Sequence, residues 1–384
     1  MRIIHLSLIN FRNYPQASMD FSGGINCLVG HNGAGKTNLL DAIHYLSFCK
    51  SYFNSFDNQN ILHDEDMFVI QGLFEKEGNK EEIYCAQKRN ERKQFKRNKK
   101  EYTKLSEHIG LIPVVMITPL DAALLYEGSD MRRKFVDSII SQIDTNYLNA
   151  LIEYNKALMN RNALLKQFYE SRQWDEALIS TYDSILISRG ETIFKIRQKF
   201  TKEFSPLFLK AYKEISGERE NAHIEYSSNL TEGNFAELLT RALPKDRVLT
   251  YTTTGIHKDD WIFCMEGKSL KKFASQGQQK SFIIALKVAQ FRYLRKQPPS
   301  PHGGQRGAPI LLLDDIFDKL DEERVNSLID MVCSNEFEQV FITDTNLPRM
   351  KKLLEKREKE YKLFPIENGI IQEKLLDNLI IEHR

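Results

Sequence analysis

The segment Gly30-His31-Asn32-Gly33-Ala34-Gly35-Lys36-Thr37 meets every fixed position of G-x-x-x-x-G-K-[ST], and no other feature constrains the chain as tightly. The apolar run Ile25-Asn26-Cys27-Leu28-Val29 before it reads as a short buried strand, and a helix containing Asn38 should begin at about Lys36. Strand, glycine-rich turn and helix N-terminus together make a phosphate cradle. The glycines let successive backbone N–H groups face one anion, the helix dipole favours negative charge, and Lys36 adds a point charge. Gly30 to Asn38 are therefore the expected nucleotide-binding residues, with the Thr37 hydroxyl offered to Mg2+.

A second piece completes the chemistry. Ile310-Leu311-Leu312-Leu313-Asp314-Asp315 is an apolar strand that delivers two adjacent carboxylates at its end. In isolation this is also what an acidic turn after a buried strand looks like. Beside a phosphate cradle, Asp314 reads as the Mg2+ partner of Thr37, and Asp315 as the group that orients or deprotonates the attacking water. Lys36 and Asp315 are the expected catalytic residues. More than two thirds of the chain separates the cradle from the acidic pair and no guanine-reading N-K-x-D occurs, so ATP is the expected nucleotide.

At 384 residues the chain exceeds the about 250 to 300 that one core usually reaches, which implies a core plus a lobe. With 41% apolar and 28% charged residues it is neither disordered nor fibrous. Lys and Arg total 54 against 52 acids, so any polyanionic partner must be argued from where the charge sits. Cys27, Cys49, Cys85, Cys264 and Cys333 are scattered, with no C-x-x-C to suggest zinc or redox chemistry. The first residues alternate like a strand, and the longest apolar runs are far shorter than a membrane span. A cytoplasmic protein without a membrane partner is expected.

Alternation marks a strand over Arg2 to Phe11, with a hairpin closing near Gly23-Gly24, and short alternating stretches from Met67 to Lys104 suggest a small antiparallel sheet. After a strand at Pro113 to Ile117, apolar residues at Phe135, Ile139, Ile143, Tyr147, Leu151, Tyr154 and Leu158 predict one long amphipathic helix, and a second series runs from Leu178 to Phe204. Strand-like residues return at Val248 to Thr254 and Trp261 to Met265. A helix follows from about Gln276 to Arg295, then a Pro- and Gly-rich loop from Pro298 to Pro309, and core strands at Ile310 to Leu313 and Gln339 to Thr343. The expected class is α/β: an ATPase core from residues 1–118 and 245–384, split by a mainly helical lobe at 119–244.

Lys88, Arg89, Arg92, Lys93, Lys96, Arg97, Lys99, Lys100 and Lys104 crowd a segment whose acids are Glu91 and Glu101, with Phe95 and Tyr102 among them. Such density suits DNA phosphates and equally suits a solvated hairpin. Arg132, Arg133 and Lys134 form a second cationic group.

Ser275-Gln276-Gly277-Gln278-Gln279-Lys280-Ser281 opens the helix before the Pro-rich loop, where it could cap the helix or bind an anion. Placed between the cradle and the acidic pair, it resembles the signature of ABC-type ATPases, and Asp318-Lys319-Leu320-Asp321 resembles their D-loop. The resemblance narrows to the RecF family. Leu8-x-Asn10-Phe11-Arg12-Asn13-Tyr14, the cradle with Asn38, Thr118-Pro119-x-Asp121, Arg132-Arg133-x-Phe135-x-Asp137, Thr253-Thr254-Gly255-Ile256-His257-Lys258-Asp259-Asp260, Ser-Gln-Gly-Gln-Gln and Leu-Leu-Asp-Asp are similar to RecF motifs, and together they span nearly the whole chain.

That resemblance implies an ABC-type head that dimerises around ATP, with Ser275, Gly277 and Gln278 meeting the nucleotide of a second copy and Asp321 crossing at the same interface. It also implies slow, DNA-stimulated hydrolysis, binding of duplex or gapped DNA without sequence preference, and work with RecO and RecR in loading recombinase. Ile256 and Lys258 stand where the family usually carries Pro and Arg, and Thr343-Asp344-Thr345 stands where other ABC proteins often carry a phosphate-sensing His. Gln71 is the candidate for the glutamine that links ATP to the lobe.

Three other readings share parts of this pattern. A transporter's ATP subunit would lack the inserted lobe, and chromosome-structuring ATPases carry long heptad arms that are missing here. A scaffold using ATP only as structural glue would need no working Asp315.

Overall fold

The computed structural model describes residues 1–217, 220–298, 307–317 and 322–371. In chain order, β1 (Arg2–Phe11), β2 (Tyr14–Asp20) and β3 (Ile25–Val29) lead into α1 (Lys36–Phe48). Next come β4 (Met67–Lys76), β5 (Asn79–Lys88), β6 (Gln94–Arg97), β7 (Lys100–Glu101) and β8 (Val114–Ile117). The middle of the chain holds α2 (Ala123–Tyr126), α3 (Ser129–Ser141), α4 (Thr145–Ser171), α5 (Glu176–Ser216), β9 (Ala222–Ser227), α6 (Phe235–Leu249), β10 (Asp260–Met265), β11 (Lys268–Ser269), α7 (Leu270–Phe273) and α8 (Gln276–Arg295). The last stretch holds β12 (Ile310–Leu313), α9 (Glu322–Cys333), β13 (Val340–Asp344), α10 (Leu347–Leu354), β14 (Tyr361–Glu367) and β15 (Ile370–Ile371).

These elements form two compact units, Met1–Asp121 with Gln290–Arg384, and Ala122–Ala289. The first unit contains two six-stranded sheets. One is antiparallel, in the order β2-β1-β4-β5-β6-β7. The other runs β15-β14-β3-β13-β12-β8, parallel except for β15 at its edge. Every residue of β3, β8, β12 and β13 is buried, as expected of parallel strands covered on both faces. α1 contacts β4 and β5 of the first sheet and β8 and β13 of the second, so it is buried nearly all round and its Leu39, Leu40, Ile43 and Leu46 join one core. This burial holds the start of α1 rigidly at the end of β3.

The second unit is built on α3 to α6 and the antiparallel sheet β11-β10-β9. The single helix expected across Phe135 to Leu158 is two, because the Asp144 side chain accepts the Tyr147 N–H at 3.0 Å and caps a new helix. Val248 and Leu249, expected in a strand, end α6, and Thr250 leaves it in a left-handed conformation. The following threonines are held by side chains: Asp246 Oδ1 accepts the Thr253 N–H at 2.8 Å and Asn162 Oδ1 accepts that of Thr252 at 2.8 Å. Residues 245–289, expected with the core, cluster with the second unit, since β10 pairs along its whole length with β9. Among the described residues no helix is long and apolar enough to cross a membrane.

Candidate functional site

The turn from β3 into α1 is pinned at two points. Gly30 donates its N–H to the Asp344 carbonyl at the end of β13 (3.2 Å), and Gly369, in the β14–β15 turn, donates to the Ala34 carbonyl (2.9 Å). Gly33 and Gly35 take φ values of 82° and 114°, a region open to glycine. A Cβ on Gly35 would also lie 2.6 Å from Tyr14 Oη. His31, Asn32 and Gly33 face solvent, while Ala34, Gly35 and Lys36 are buried and Thr37 and Asn38 half-buried. The Lys36 ammonium donates to the carbonyls of Gly30 (2.7 Å) and His31 (2.9 Å). Burial lowers its pKa, and the charges of Asp315, Asp314 and Asp344 act in the other direction.

β12 brings the acidic pair to the same place. The Thr37 hydroxyl lies 2.9 and 3.1 Å from the two carboxylate oxygens of Asp314 and donates to them. Thr343 at the end of β13 donates its hydroxyl to Asp314 Oδ1 (2.9 Å) and accepts the Asp315 N–H (2.8 Å). Asp315 itself is exposed and left-handed, with φ 50°. Burial raises the pKa of Asp314, opposed by the hydroxyl bonds from Thr343 and Thr37. Thr37 and Asp314 offer hard oxygen donors beside a phosphate cradle, which is the donor set Mg2+ prefers. A hydroxyl, at Thr343, thus organises the acidic pair where other ABC proteins often carry a phosphate-sensing His.

The β1–β2 turn, to which the residues alone assign no role, buttresses the cradle. Arg12 donates to Asn38 Oδ1 (2.9 Å) and pairs with the buried Asp41 carboxylate; Asn38 donates to Asn13 Oδ1 (2.7 Å), and Asn13 to the Ala34 carbonyl (3.3 Å). Burial raises the pKa of Asp41, with the Arg12 charge opposing it. The signal available was an Asn directly after Lys36-Thr37 together with a polar Arg-Asn turn ending a strand.

In the second unit, Ser275 and Gln278 form a reciprocal cap on α8. Gln278 Oε1 accepts the Ser275 N–H at 2.7 Å, and the Ser275 hydroxyl accepts the Gln278 N–H at 3.3 Å. Gln278 Nε2 also donates to Glu220 (2.8 Å). Ser275 is exposed and Gly277 half-buried, so the start of the helix remains accessible. Asp318 to Asp321, and most of the Pro298 to Pro309 loop, lie outside the described residues. Gln71 sits inside β4 and donates to Glu82 (2.9 Å).

Residues 2–372 match the family described as RecF/RecN/SMC N terminal domain. The chain is 48% identical to the DNA replication and repair protein RecF of Phocaeicola vulgatus, covering 97% of this chain and 99% of that one. It belongs to the RecF family. A solved structure of the recombination mediator protein RecF with ATP, in the RecFOR pathway, is 30% identical and superposes with a TM-score of 0.84 over 96% of each chain. The Smc head of Pyrococcus furiosus, 16% identical, superposes with a TM-score of 0.55 over 100% of this chain and 99% of that one, which shows a shared fold. The RecF-family fold here is accordingly that of an ABC-type ATPase head.

The basic segment of this RecF-family chain lies on β5 to β7 and their turns, and its cations have different surroundings. Lys93 is half-buried, pairs with Asp57 (2.8 Å), donates to the Cys49 carbonyl (2.6 Å) and stands 4.7 Å over the Tyr45 ring. Arg97 is paired with Glu81, Lys88 with Glu91, Arg89 with the Glu65 carbonyl and Arg92 with the Thr103 carbonyl. Lys96 stacks over Tyr84, and Lys99 and Lys100 are exposed at the β6–β7 turn. Of the second cationic group, Arg132 is bound by Asp260 (2.7 Å) and Arg133 by the Asp259 carbonyl (2.7 Å), while Lys134 lies 3.4 Å from Asp130.

Proposed function

We propose that this chain is an ATP-dependent DNA-repair ATPase in which ATP and Mg2+ join two copies into a clamp on duplex or gapped DNA, and slow, DNA-stimulated hydrolysis releases it. The observation that carries this reading is the Thr37–Asp314–Thr343–Asp315 arrangement, which draws oxygen donors from α1, β12 and β13 to the mouth of the phosphate cradle.

Gly30 to Asn38 would bind the phosphates through backbone N–H groups and the α1 dipole. Lys36 has one N–H left after its two carbonyl bonds, and it would direct that donor to a phosphate oxygen. Thr37 and Asp314 would hold Mg2+, which supplies charge neutralisation for the phosphates. Asp315, exposed and held by its N–H, would orient the attacking water. Ser275, Gly277 and Gln278 would meet the nucleotide of a second copy, with Asp321 at the same interface. ATP held this way binds the dimer better than the single chain, and that difference in affinity is what shifts the equilibrium.

Lys88, Arg89, Arg92, Lys96, Lys99 and Lys100 are the proposed DNA contacts, acting on phosphates irrespective of sequence. Lys93 and Arg97, placed in the same group from sequence, are held in ion pairs: Arg97 joins β6 to Glu81 of β5, and Lys93 ties the turn between them to Asp57. The RecFOR setting of the solved relative supports RecO and RecR as partners of this chain.

The test is the mass in solution, with and without ATP and Mg2+, of the wild type, Lys36→Met and Ser275→Arg, each also with a short gapped duplex. ATP should convert the wild type to a dimer that retains DNA, and both substitutions should abolish the shift. Masses that ignore ATP in all three proteins would sink the clamp.

A further inference from the structure

β9 is the edge strand of the sheet β11-β10-β9, and in its register with β10, His223 stands opposite Cys264 while Glu225 stands opposite Ile262. Directly opposed residues share one face of a sheet, and residues two apart on a strand do as well. Ala222, Ile224, Trp261, Phe263 and Met265 are buried on one face. His223, Glu225 and Cys264 therefore converge on the other. His223 Nε2 lies 2.9 Å from Glu225 Oε1, and the imidazole nitrogen, the carboxylate oxygen and Cys264 Sγ all lie within 4.8 Å of one another.

We infer that His223, Glu225 and Cys264 form a site for one divalent cation of the zinc class, with the remaining coordination position left to water. A tetrahedral zinc ion places such donors about 3.5 Å apart, so side-chain adjustments of about 1 Å bring all three to bonding distance without moving either strand. One nitrogen, one sulfur and one oxygen donor select zinc over Mg2+, which prefers all-oxygen sets. The site is thereby distinct in chemistry from Thr37 and Asp314. Its three donors come from two paired strands, so an ion there would cross-link the edge strand β9 to β10. The bare alternative is an ion pair between His223 and Glu225 at positions 40% and 58% exposed, which would contribute little to stability.

Cobalt(II) tests the site on the full-length protein, since a cysteine thiolate bound to cobalt gives a near-ultraviolet charge-transfer band that oxygen donors do not. One equivalent should produce the band in the wild type and in Cys333→Ser, the half-buried cysteine elsewhere in the chain. Cys264→Ser should abolish the band, and His223→Gln should weaken binding by at least about 10-fold, because even residues behind metal ligands are worth 10- to 100-fold in affinity. Zinc should displace the cobalt. No band in the wild type, or a band that survives Cys264→Ser, overturns the site. A band lost only in Cys264→Ser, with His223→Gln unaffected, overturns the three-donor assignment.

Discussion

Thr37 and Asp314 are hydrogen-bonded, hydroxyl to carboxylate at 2.9 Å, across a sequence separation of 277 residues. This bond joins the first turn of α1 to the end of β12 and places both oxygen groups where one Mg2+ would need them. Thr37→Val keeps the shape and removes the hydroxyl. It is expected to lower ATP turnover by about 10²- to 10³-fold, the range for removing one preorganised electrostatic contact to a transition state, with a rise in the Mg2+ concentration needed for half activity. A steady-state ATPase assay over a Mg2+ titration measures both, and unchanged Mg2+ dependence would remove Thr37 from the metal site.

Asp315→Asn keeps the size and the backbone N–H that Thr343 accepts. If Asp315 activates water, the variant binds ATP and dimerises but fails to release, so the dimer persists after free ATP is removed. Dimer lifetime by size-exclusion chromatography reads this directly. A lifetime equal to that of the wild type would favour a scaffold that never used the carboxylate.

Ser275 caps α8 in the isolated chain and is also assigned to a second copy's nucleotide. Ser275→Asp separates the roles, because Asp caps a helix as well as Ser does but would repel a phosphate. Thermal stability without nucleotide should change by less than about 0.5 kcal/mol, while ATP-dependent dimerisation is lost. A dimer that still forms with ATP would confine Ser275 to capping.

His257 accepts the Tyr154 hydroxyl at Nδ1 (2.8 Å) and donates from Nε2 to the Thr252 carbonyl (3.0 Å), and burial pushes its pKa down to about 4 from 6.5. The neutral ring is the folded form. Its contribution is fully present above pH 6.5 and is lost as the pH falls through about 4, amounting to about 3 kcal/mol. Urea unfolding between pH 7 and pH 4 should show the wild type losing that much more stability than His257→Gln, and parallel losses would reject the assignment.

The lysines of the basic segment should divide by their surroundings. Lys99→Ala with Lys100→Ala should weaken DNA binding and lower the slope of log affinity against log salt by about 2, leaving stability unchanged. Lys93→Ala should destabilise the fold by about 2 kcal/mol, through the lost bonds to Asp57 and the Cys49 carbonyl, with an unchanged salt slope. Fluorescence anisotropy over a salt series and denaturant melts distinguish the two effects.

What the sequence by itself determined was chemistry carried by contiguous residues. The cradle with α1 starting at Lys36, the helix from Gln276 to Arg295 and the apolar strand ending in Asp314-Asp315 were legible because each is a short stretch whose glycines, cap or burial pattern acts locally. Periodicity shows which face of an element is buried and not what covers it. It therefore passed over the Asp144 cap that divides α3 from α4, and it placed residues 245–289 with the core, where pairing of β10 with β9 puts them in the second unit. Only the tertiary structure decided which cations were already taken by neighbours, as Lys93 is by Asp57, and which polar groups from distant segments would meet. Thr37 with Asp314, and His223 and Glu225 with Cys264, come together through strand order and register, which long-range packing sets and local residue spacing does not encode.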